Sequence, residues 1–283
     1  MSIDVEDYFQ VAAFARWIDR SRWDTMPCRV ERNVALILAL LERHRTKATF
    51  FTLGWIAERY PQLVRDIVAG GHELASHGHG HLRASEQTPE EFRQDLARAR
   101  AILEDTGGVR VVGYRAPSFS IGEHNLWAHD VIAETGHLYS SSVYPIAHDH
   151  YGMPAAPRFA WRTRSGIVEL PPSSVRLLGR NLPASGGGYF RLLPYPLSRW
   201  SIRRINGLDR QPCLFYFHPW EVDPEQPRIE QAGARSRFRH YLNLDRMAER
   251  LDRLLGDFRW DRIDRVYADA IGSCERRPVP VAA

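Results

Sequence analysis

Cysteine, lysine and long apolar runs are all scarce in this chain. Among 283 residues there are three cysteines, Cys28, Cys213 and Cys274, too scattered for a disulfide framework or a Cys-x-x-Cys zinc site. No run approaches the roughly 18 apolar residues of a membrane-spanning helix. The acidic N-terminal decapeptide has no signal-peptide pattern. These absences predict a cytoplasmic protein without a transmembrane segment, with the inner membrane face as a peripheral alternative.

The positive charge comes almost entirely from arginine. Lys47 is the single lysine, and the formal net charge is +4. The arginines alternate with Asp and Glu, which is typical of a solvated, salt-bridged surface and not of a basic nucleic-acid interface. With 44% hydrophobic and 25% charged residues, the chain has the composition of an ordinary globular protein. We therefore expect no nucleic-acid partner.

Short apolar runs alternate with amphipathic stretches along the first half of the chain. The pattern predicts strands near 2–5, 48–53, 72–76, 109–114 and 138–143, and helices near 31–44, 56–68, 88–104 and 125–134. A later apolar strand at 213–217, a helix at 244–255 and a last strand near 265–267 follow. This βαβα rhythm indicates a parallel sheet covered by helices, with any chemistry at the carboxyl ends of the strands.

The rhythm loosens between residues 145 and 212, where proline, glycine and aromatic residues are dense. We interpret this stretch as hairpins and long loops inserted into a single domain. The predicted organisation is one catalytic domain over residues 1–270 and a flexible C-terminal tail over residues 271–283.

An acidic group follows the first predicted strand. Asp4, Glu6 and Asp7 could supply a metal-ligating carboxylate and a general base, because a hydrolytic water needs a base beside the cation. The alternative is an inert, solvated acidic edge.

Three histidines alternate with two glycines after the third predicted strand. His77 and His81 are four residues apart, and His79 lies between them. Imidazole is the commonest protein ligand for zinc-like metals, and the glycines let the backbone turn around an ion. A flexible polar loop is the alternative.

Two further polar residues end apolar strands. Arg115 follows 109–114 and precedes Pro117, so it could hold a carboxylate at a rigid strand exit or simply be a surface arginine. His218 follows 213–217 and could be a general acid partnered by Glu221, or a satisfied core histidine.

Taken together, three sequence segments resemble motifs of the NodB-type polysaccharide deacetylases of carbohydrate esterase family four. They are Ser76-His77-Gly78-His79-Gly80-His81, Arg115-Ala116-Pro117 and Phe217-His218. The segments 4–9, 218–221 and 239–244 are similar to the deacetylases of exosortase (PEP-CTERM) loci, which belong to exopolysaccharide gene clusters. The resemblance runs from residue 2 to about residue 267.

The resemblance implies a distorted (β/α)7 TIM-like barrel with a loop-rich insert. It implies that Asp4 is the catalytic base, that Arg115 orients it, and that His218 is the general acid. It also implies a divalent metal, zinc or else cobalt or another divalent ion, held by His77, His81 and one carboxylate. Many members have adjacent aspartates here, whereas Val5 follows Asp4 in this chain. The ligand must then be Glu6 or Asp7, and strand alternation favours Glu6.

The implied reaction is metal-dependent removal of acetate from N-acetylhexosamine units of a polysaccharide or oligosaccharide. Tyr144, Tyr189 and Trp220 are candidates for stacking on sugar rings, with core packing as the alternative. Two other functions stay open at this point: an allantoinase-like or small-amide hydrolase on the same barrel, and an inactive sugar-binding protein.

Overall fold

The computed structural model describes residues 1–148 and 151–275 and shows a mixed α/β fold around one curled sheet. Its strands are β1 (Ser2–Val5), β2 (Thr49–Thr52), β3 (Glu73–Ser76), β4 (Gly113–Tyr114), β5 (Tyr139–Ser140), β6 (Trp161–Arg162), β7 (Val168–Glu169), β8 (Ser174–Leu177), β9 (Arg180–Pro183) and β10 (Tyr216–Phe217). Its α-helices are α1 (Val30–Arg43), α2 (Gly54–Arg59), α3 (Pro61–Ala69), α4 (Pro89–Gly107), α5 (Ala128–Glu134), α6 (Gly187–Leu192), α7 (Tyr195–Arg204), α8 (Ala234–Tyr241), α9 (Met247–Asp257), α10 (Ile263–Val266) and α11 (Ala268–Glu275).

The main sheet has the spatial order β10-β1-β2-β3-β4-β5-β7-β6. All neighbours pair in parallel except β6, which runs antiparallel to β7 at the edge. Beyond β7, Ser173 N donates to Leu214 O over 3.1 Å, so the chain leaving β7 meets the chain entering β10. The seven parallel strands confirm the predicted distorted (β/α)7 barrel.

Apolar faces of the helices hold this sheet. On α1, Val34, Ile37 and Leu41 are buried at helical spacing against the core that includes Ile3 and Phe50. Burying each such side chain stabilises the fold by about 1.5–3 kcal/mol. Glycine and polar residues lie instead where the strands end. The carboxyl edge of the sheet can therefore hold a polar site.

Local signals in the sequence explain most element boundaries. A capping box begins α4, since Thr88 Oγ1 accepts from Glu91 N and Glu91 Oε2 accepts from Thr88 N over 2.8 Å. The single helix predicted over 56–68 is two helices, α2 and α3. They are separated at Tyr60, whose φ of −129° and ψ of 60° are not helical, and Pro61 opens the second.

The C-terminal predictions need correction. The strand expected near 265–267 is wrong, because Ile263–Val266 is helical and buries Ile263 against the sheet. The expected strands at 109–114, 138–143 and 213–217 shrink to two residues each. Residues 271–275 of the predicted tail belong to α11, and residues 276–283 lie outside the described residues.

The stretch 145–212 contains the expected hairpin, formed by β8 and β9. It also contains α6 and α7, which the sequence patterns missed. Within residues 1–148 and 151–275, no helix is both long and apolar enough to cross a membrane.

Candidate metal and acid–base site

The polar residues that end four parallel strands meet at one edge of the barrel. Asp4 lies at the end of β1, His77 directly follows β3, Arg115 directly follows β4, and His218 directly follows β10. Because neighbouring parallel strands point the same way, their carboxyl ends gather these side chains in one place. The predicted clustering after strand ends is therefore what the fold produces.

Glu6, His77 and His81 form a buried cluster. One ligand atom from each lies within 4.8 Å of the others. The loop carrying the histidines turns sharply, with φ of +77° at Gly78 and +54° at His81. A side chain at Gly78 would place Cβ 2.7 Å from Asp95 Oδ2, so only glycine allows this turn.

The donor atoms of this cluster fit a divalent cation. His77 Nδ1 donates to Arg115 O over 2.8 Å, which leaves the Nε2 lone pair of His77 available as a ligand. Glu6 Oε2 is buried without a hydrogen-bond partner, although His81 Nε2 lies only 2.6 Å away. One carboxylate oxygen and two imidazole nitrogens are a suitable donor set for zinc or cobalt.

The electrostatic environment keeps two of these groups in the protonation state that metal binding requires. Burial raises the pKa of Glu6, but the fields of His81 and His218 outweigh it, and the pKa falls to about 2. Burial lowers the pKa of His77 to about 4, against the opposing field of Asp4. Glu6 is therefore ionised and His77 neutral at neutral pH, as ligands must be.

Asp7, the other candidate carboxylate, lies outside the cluster. Its Oδ2 accepts from Arg29 N over 2.6 Å, from Val30 N over 2.9 Å and from Cys28 Sγ over 2.9 Å. It thus caps the first turn of α1, where free N–H groups need an acceptor. The expectation that Asp7 could lie with the histidines is therefore wrong, and Glu6 is the carboxylate of the cluster.

Arg115 holds Asp4 inside the barrel. Arg115 Nη1 donates to Asp4 Oδ1 over 2.5 Å and to Ser2 Oγ over 3.0 Å. Its Nε and Nη2 donate to Ser141 O and Ser141 Oγ, and its guanidinium lies 4.1 Å from the centroid of the Phe51 ring. With partners on three sides, this buried guanidinium has one orientation, and so does the carboxylate that it binds.

His218 faces the carboxylates from the opposite side. Its Nε2 lies 3.9 Å from Asp4 Oδ2 and 3.4 Å from Glu6 Oε1, and its Nδ1 donates to Glu221 Oε1 over 2.8 Å. Burial lowers the pKa of His218, but the fields of Glu6, Glu221 and Asp4 raise it to about 9. At neutral pH the imidazolium therefore has a proton to donate.

Arg191 and a glycine run support His218 and went unassigned in the sequence. Arg191 Nε donates to Glu221 Oε2 over 2.7 Å, and Nη1 donates to His240 O over 3.0 Å. A Cβ on Gly187 would lie 2.1 Å from Glu221 Oε1, so glycine lets the backbone cross directly over that carboxylate. The glycine run 186–188 is a pattern from which a close backbone approach could have been predicted, whereas no sequence pattern points to Arg191.

Two of the three candidate sugar-stacking residues are covered by protein. Tyr144 is fully buried and its hydroxyl donates to Ser185 O over 3.0 Å. Trp220 is stacked on the rings of His218 and His240, with centroid distances of 5.2 and 4.1 Å. The stacking expectation for Tyr144 and Trp220 is corrected to a packing role, because neither ring has a free face.

The remaining candidates are more accessible. Tyr189 is half-buried on α6 and stays a candidate for substrate contact. His79, the middle histidine of the loop, turns away from the cluster, and its Nε2 lies 3.0 Å from Glu58 Oε2.

Comparison with known proteins agrees with this geometry. A polysaccharide deacetylase family model matches residues 21–139, which include both cluster histidines and Arg115. A chitooligosaccharide deacetylase of Bradyrhizobium sp. (strain ANU 289) is 32% identical over 52% of this chain and 64% of its own length. A chitooligosaccharide deacetylase of Sinorhizobium fredii is 36% identical over 38% of this chain and 48% of its own. Over these segments the chain is similar to polysaccharide deacetylases.

The matched region of the relatives is partial. A peptidoglycan-N-acetylglucosamine deacetylase of Bacillus cereus is 34% identical over 32% of this chain and 34% of its own length. The chain thus spans between a third and just under two thirds of these curated relatives. Residues 141–268 match a second model, the domain of unknown function DUF3473.

Solved structures share the fold of this chain. A Mycobacterium smegmatis protein assigned as a polysaccharide deacetylase superposes with a TM-score of 0.63 and 19% identity, covering 100% of this chain and 92% of its own. The allantoinase Puue superposes with a TM-score of 0.56 and 15% identity, covering 87% of this chain and 74% of its own. At these identities the likeness concerns the barrel alone.

Proposed function

We propose that this protein is a metal-dependent N-deacetylase that hydrolyses the acetamide of N-acetylhexosamine units in a glycan. The observation that carries the proposal is the placement of Asp4 and His218 beside the buried Glu6, His77 and His81 cluster. Amide hydrolysis needs a base for the water, an acid for the leaving amine and a stabiliser for the oxyanion, and this site has candidates for all three.

Glu6, His77 and His81 would hold the divalent ion. When bound, such an ion polarises a carbonyl and lowers the pKa of a water molecule. Zinc is our first choice and cobalt our second, because imidazole and carboxylate donors suit both.

The other residues of the site would move the protons. Asp4, aimed by Arg115, takes a proton from the water that attacks the acetamide carbon. His218, held by Glu221, donates its Nε2 proton to the amide nitrogen as the C–N bond breaks. The products are acetate and a glycan amine. Asp4 then releases to solvent the proton that it took, and His218 takes a proton from solvent, which restores the starting state of both residues. Each proton transfer contributes about 10²–10⁴-fold to the rate.

The substrate class follows from the relatives. Their names specify chitooligosaccharide and peptidoglycan N-acetylglucosamine. We further propose a role in exopolysaccharide biosynthesis and a kinship with the exosortase-locus deacetylases. The motifs that suggested this kinship at residues 218–221 and 239–244 lie inside the DUF3473 match.

The test combines metal content with acetate release from chitooligosaccharides, before and after chelation. We expect about one zinc or cobalt ion per chain and acetate release that chelation abolishes and added metal restores. Hydrolysis of allantoin or another small amide without acetate release would replace the proposal with the small-amide alternative. Bound metal and glycan binding without turnover on any substrate would support the inactive sugar-binding alternative.

A further inference from the structure

Exposed apolar side chains concentrate on one part of the molecule. Of thirteen large apolar side chains that the described residues expose, seven lie between residues 177 and 208. Single exposed leucines are ordinary, but a concentration of this kind marks an interaction surface. Two elements carry six of the seven, namely the β8–β9 hairpin and α7 with the π-helical turn Ile205–Asp209 that follows it, and the seventh, Leu192, ends α6.

The β8–β9 hairpin has a leucine in its turn and another directly before it. Leu178 and Gly179 form its two-residue turn, with φ of +48° and +77°. Asparagine or glycine suits such a turn, whereas leucine there is strained. Leu178 is 95% exposed and Leu177 is 42% exposed, so the folded chain gains almost no burial from Leu178 and only part of what Leu177 could bury. Arg176 and Arg180 flank the pair.

The outer face of α7 also combines exposed apolar side chains with a nearby arginine. Leu197 and Trp200 are exposed at helical spacing, and Leu208 on the π-helical turn is 70% exposed. Arg204 stands over the Trp200 ring at 5.8 Å. The opposite face of α7 is buried against the body of the protein, through Tyr195, Ser198, Ser201 and Ile202.

The two elements lie side by side. Val175 of β8 and Ile205 of the π-helical turn pack in one apolar cluster. Arg158 Nη2 donates to Ser174 O over 2.7 Å and to Asp209 Oδ2 over 2.9 Å, which joins the base of the hairpin to the turn. We call the side chains of Leu177, Leu178, Leu197, Trp200 and Leu208, with the arginines around them, the insert face.

The charge around the insert face indicates which partner covers it. Besides the buried Arg191, which binds Glu221, residues 174–210 contain six arginines and a single acidic residue, Asp209, whereas opposite charges are interleaved along the chain as a whole. A protruding leucine tip, a tryptophan and surrounding arginines are the combination by which peripheral proteins enter the interface of an anionic bilayer. We propose that the insert face docks this protein on anionic lipid membranes.

The hairpin is also connected to the proposed catalytic site along the chain. It leads through Gly186 to Gly187, which crosses Glu221 beside His218. The proposal itself is independent of the catalytic assignment, because vesicle binding needs neither metal nor turnover.

The test is cosedimentation of the full chain with phosphatidylglycerol vesicles and with phosphatidylcholine vesicles. We expect binding to the anionic vesicles that weakens as salt is raised, and about tenfold or greater loss of partitioning in Leu178→Glu. A second variant, Arg203→Glu with Arg204→Glu, should lose binding similarly. Leu36→Glu is the matched control, because Leu36 is 41% exposed on α1, which contributes no residue to the insert face. This variant should bind like the unaltered protein.

Three outcomes would overturn the proposal. The first is an unaltered protein that fails to bind phosphatidylglycerol vesicles at low salt. The second is an equal loss of binding in Leu36→Glu and Leu178→Glu. The third is a dimer, detected by light scattering, that Leu178→Glu converts to a monomer, because a second copy would then be the occupant. Unchanged circular dichroism and melting temperature would show that Leu178→Glu is folded.

Discussion

His218 Nε2 lies 3.9 Å from Asp4 Oδ2, and the two side chains come from strand ends more than two hundred residues apart in the chain. Each has its own buried partner: Asp4 binds Arg115, and His218 binds Glu221. The proposed base and the proposed acid are therefore oriented by separate contacts, and each can be altered without removing the other.

Replacing the proposed base should abolish turnover while metal binding survives. Asp4→Asn keeps an oxygen for Arg115 but cannot accept the proton of a water, so we expect acetate release to fall by about 10²–10⁴-fold. Metal content, measured by elemental analysis, should match that of the unaltered protein. Ser2→Ala, which removes a different acceptor of Arg115, should keep most of the activity. Normal turnover in Asp4→Asn would refute the assignment.

Substitutions can distinguish the two histidines proposed as ligands, His77 and His81, from His79, which lies between them in the sequence. His77→Ala should remove bound metal, since it deletes one of three donors in the cluster. His79→Ala is the matched control, because His79 pairs with Glu58 outside the cluster. Full metal occupancy in His77→Ala would contradict the ligand assignment, and so would equal metal loss in both variants.

Substituting Glu6 should reduce metal content, whereas substituting Asp7 should reduce the free energy of unfolding. Asp7→Ala removes the acceptor for Arg29 N and Val30 N, so we expect it to lower the free energy of unfolding by about 1–2 kcal/mol at unchanged metal content. Glu6→Gln should instead lower metal content. Urea denaturation and elemental analysis of both variants check this, and metal loss in Asp7→Ala alone would reverse the assignment.

Glu221 should act through the pKa of His218. Its carboxylate is one of three that raise the pKa of His218 against burial, together with Glu6 and Asp4. Because a general acid must be protonated, Glu221→Gln should lower turnover and move the alkaline limb of the pH–rate profile to lower pH. Glu58→Gln should leave the profile unchanged. A uniform loss of rate without a shift of the limb would point to a purely structural role for Glu221.

The stability of the fold should fall in acid partly through His137. Burial, together with the field of Arg100, lowers its pKa from 6.5 to about 3. Below pH 6.5 the His137 imidazole therefore binds a proton in the unfolded chain but stays neutral in the native state. The free energy of unfolding then falls by up to about 1.4 kcal/mol per pH unit for this group. Urea titrations at pH 7, 6 and 5 should show a shallower pH dependence in His137→Asn, and parallel slopes would contradict the prediction.

Much of the site could be predicted because its parts follow strand ends. The βα rhythm fixes which loops lie together, and polar residues directly after apolar runs then identify Asp4, His77, Arg115 and His218. Local rules explain further details, such as the capping box before α4 and the glycines that turn the histidine loop.

Other decisions depended on contacts between distant parts of the chain. Asp7 accepts from backbone N–H groups at the N-terminus of α1, so Glu6 and not Asp7 lies beside the histidines. The partner of Glu221 is Arg191, thirty residues away on α6, and no local pattern predicts that pairing.

The sequence by itself determined the parallel barrel, the edge that carries the chemistry and the residue types gathered there, because periodicity and strand ends are local properties. Only the tertiary structure decided which carboxylate joins the cluster, which aromatic rings are covered and which apolar side chains stay exposed. Trp220 packs between His218 and His240, while Leu178 projects from the hairpin, although both are large apolar residues in the sequence. The difference is burial, and burial is set by neighbours that the folded chain brings from elsewhere.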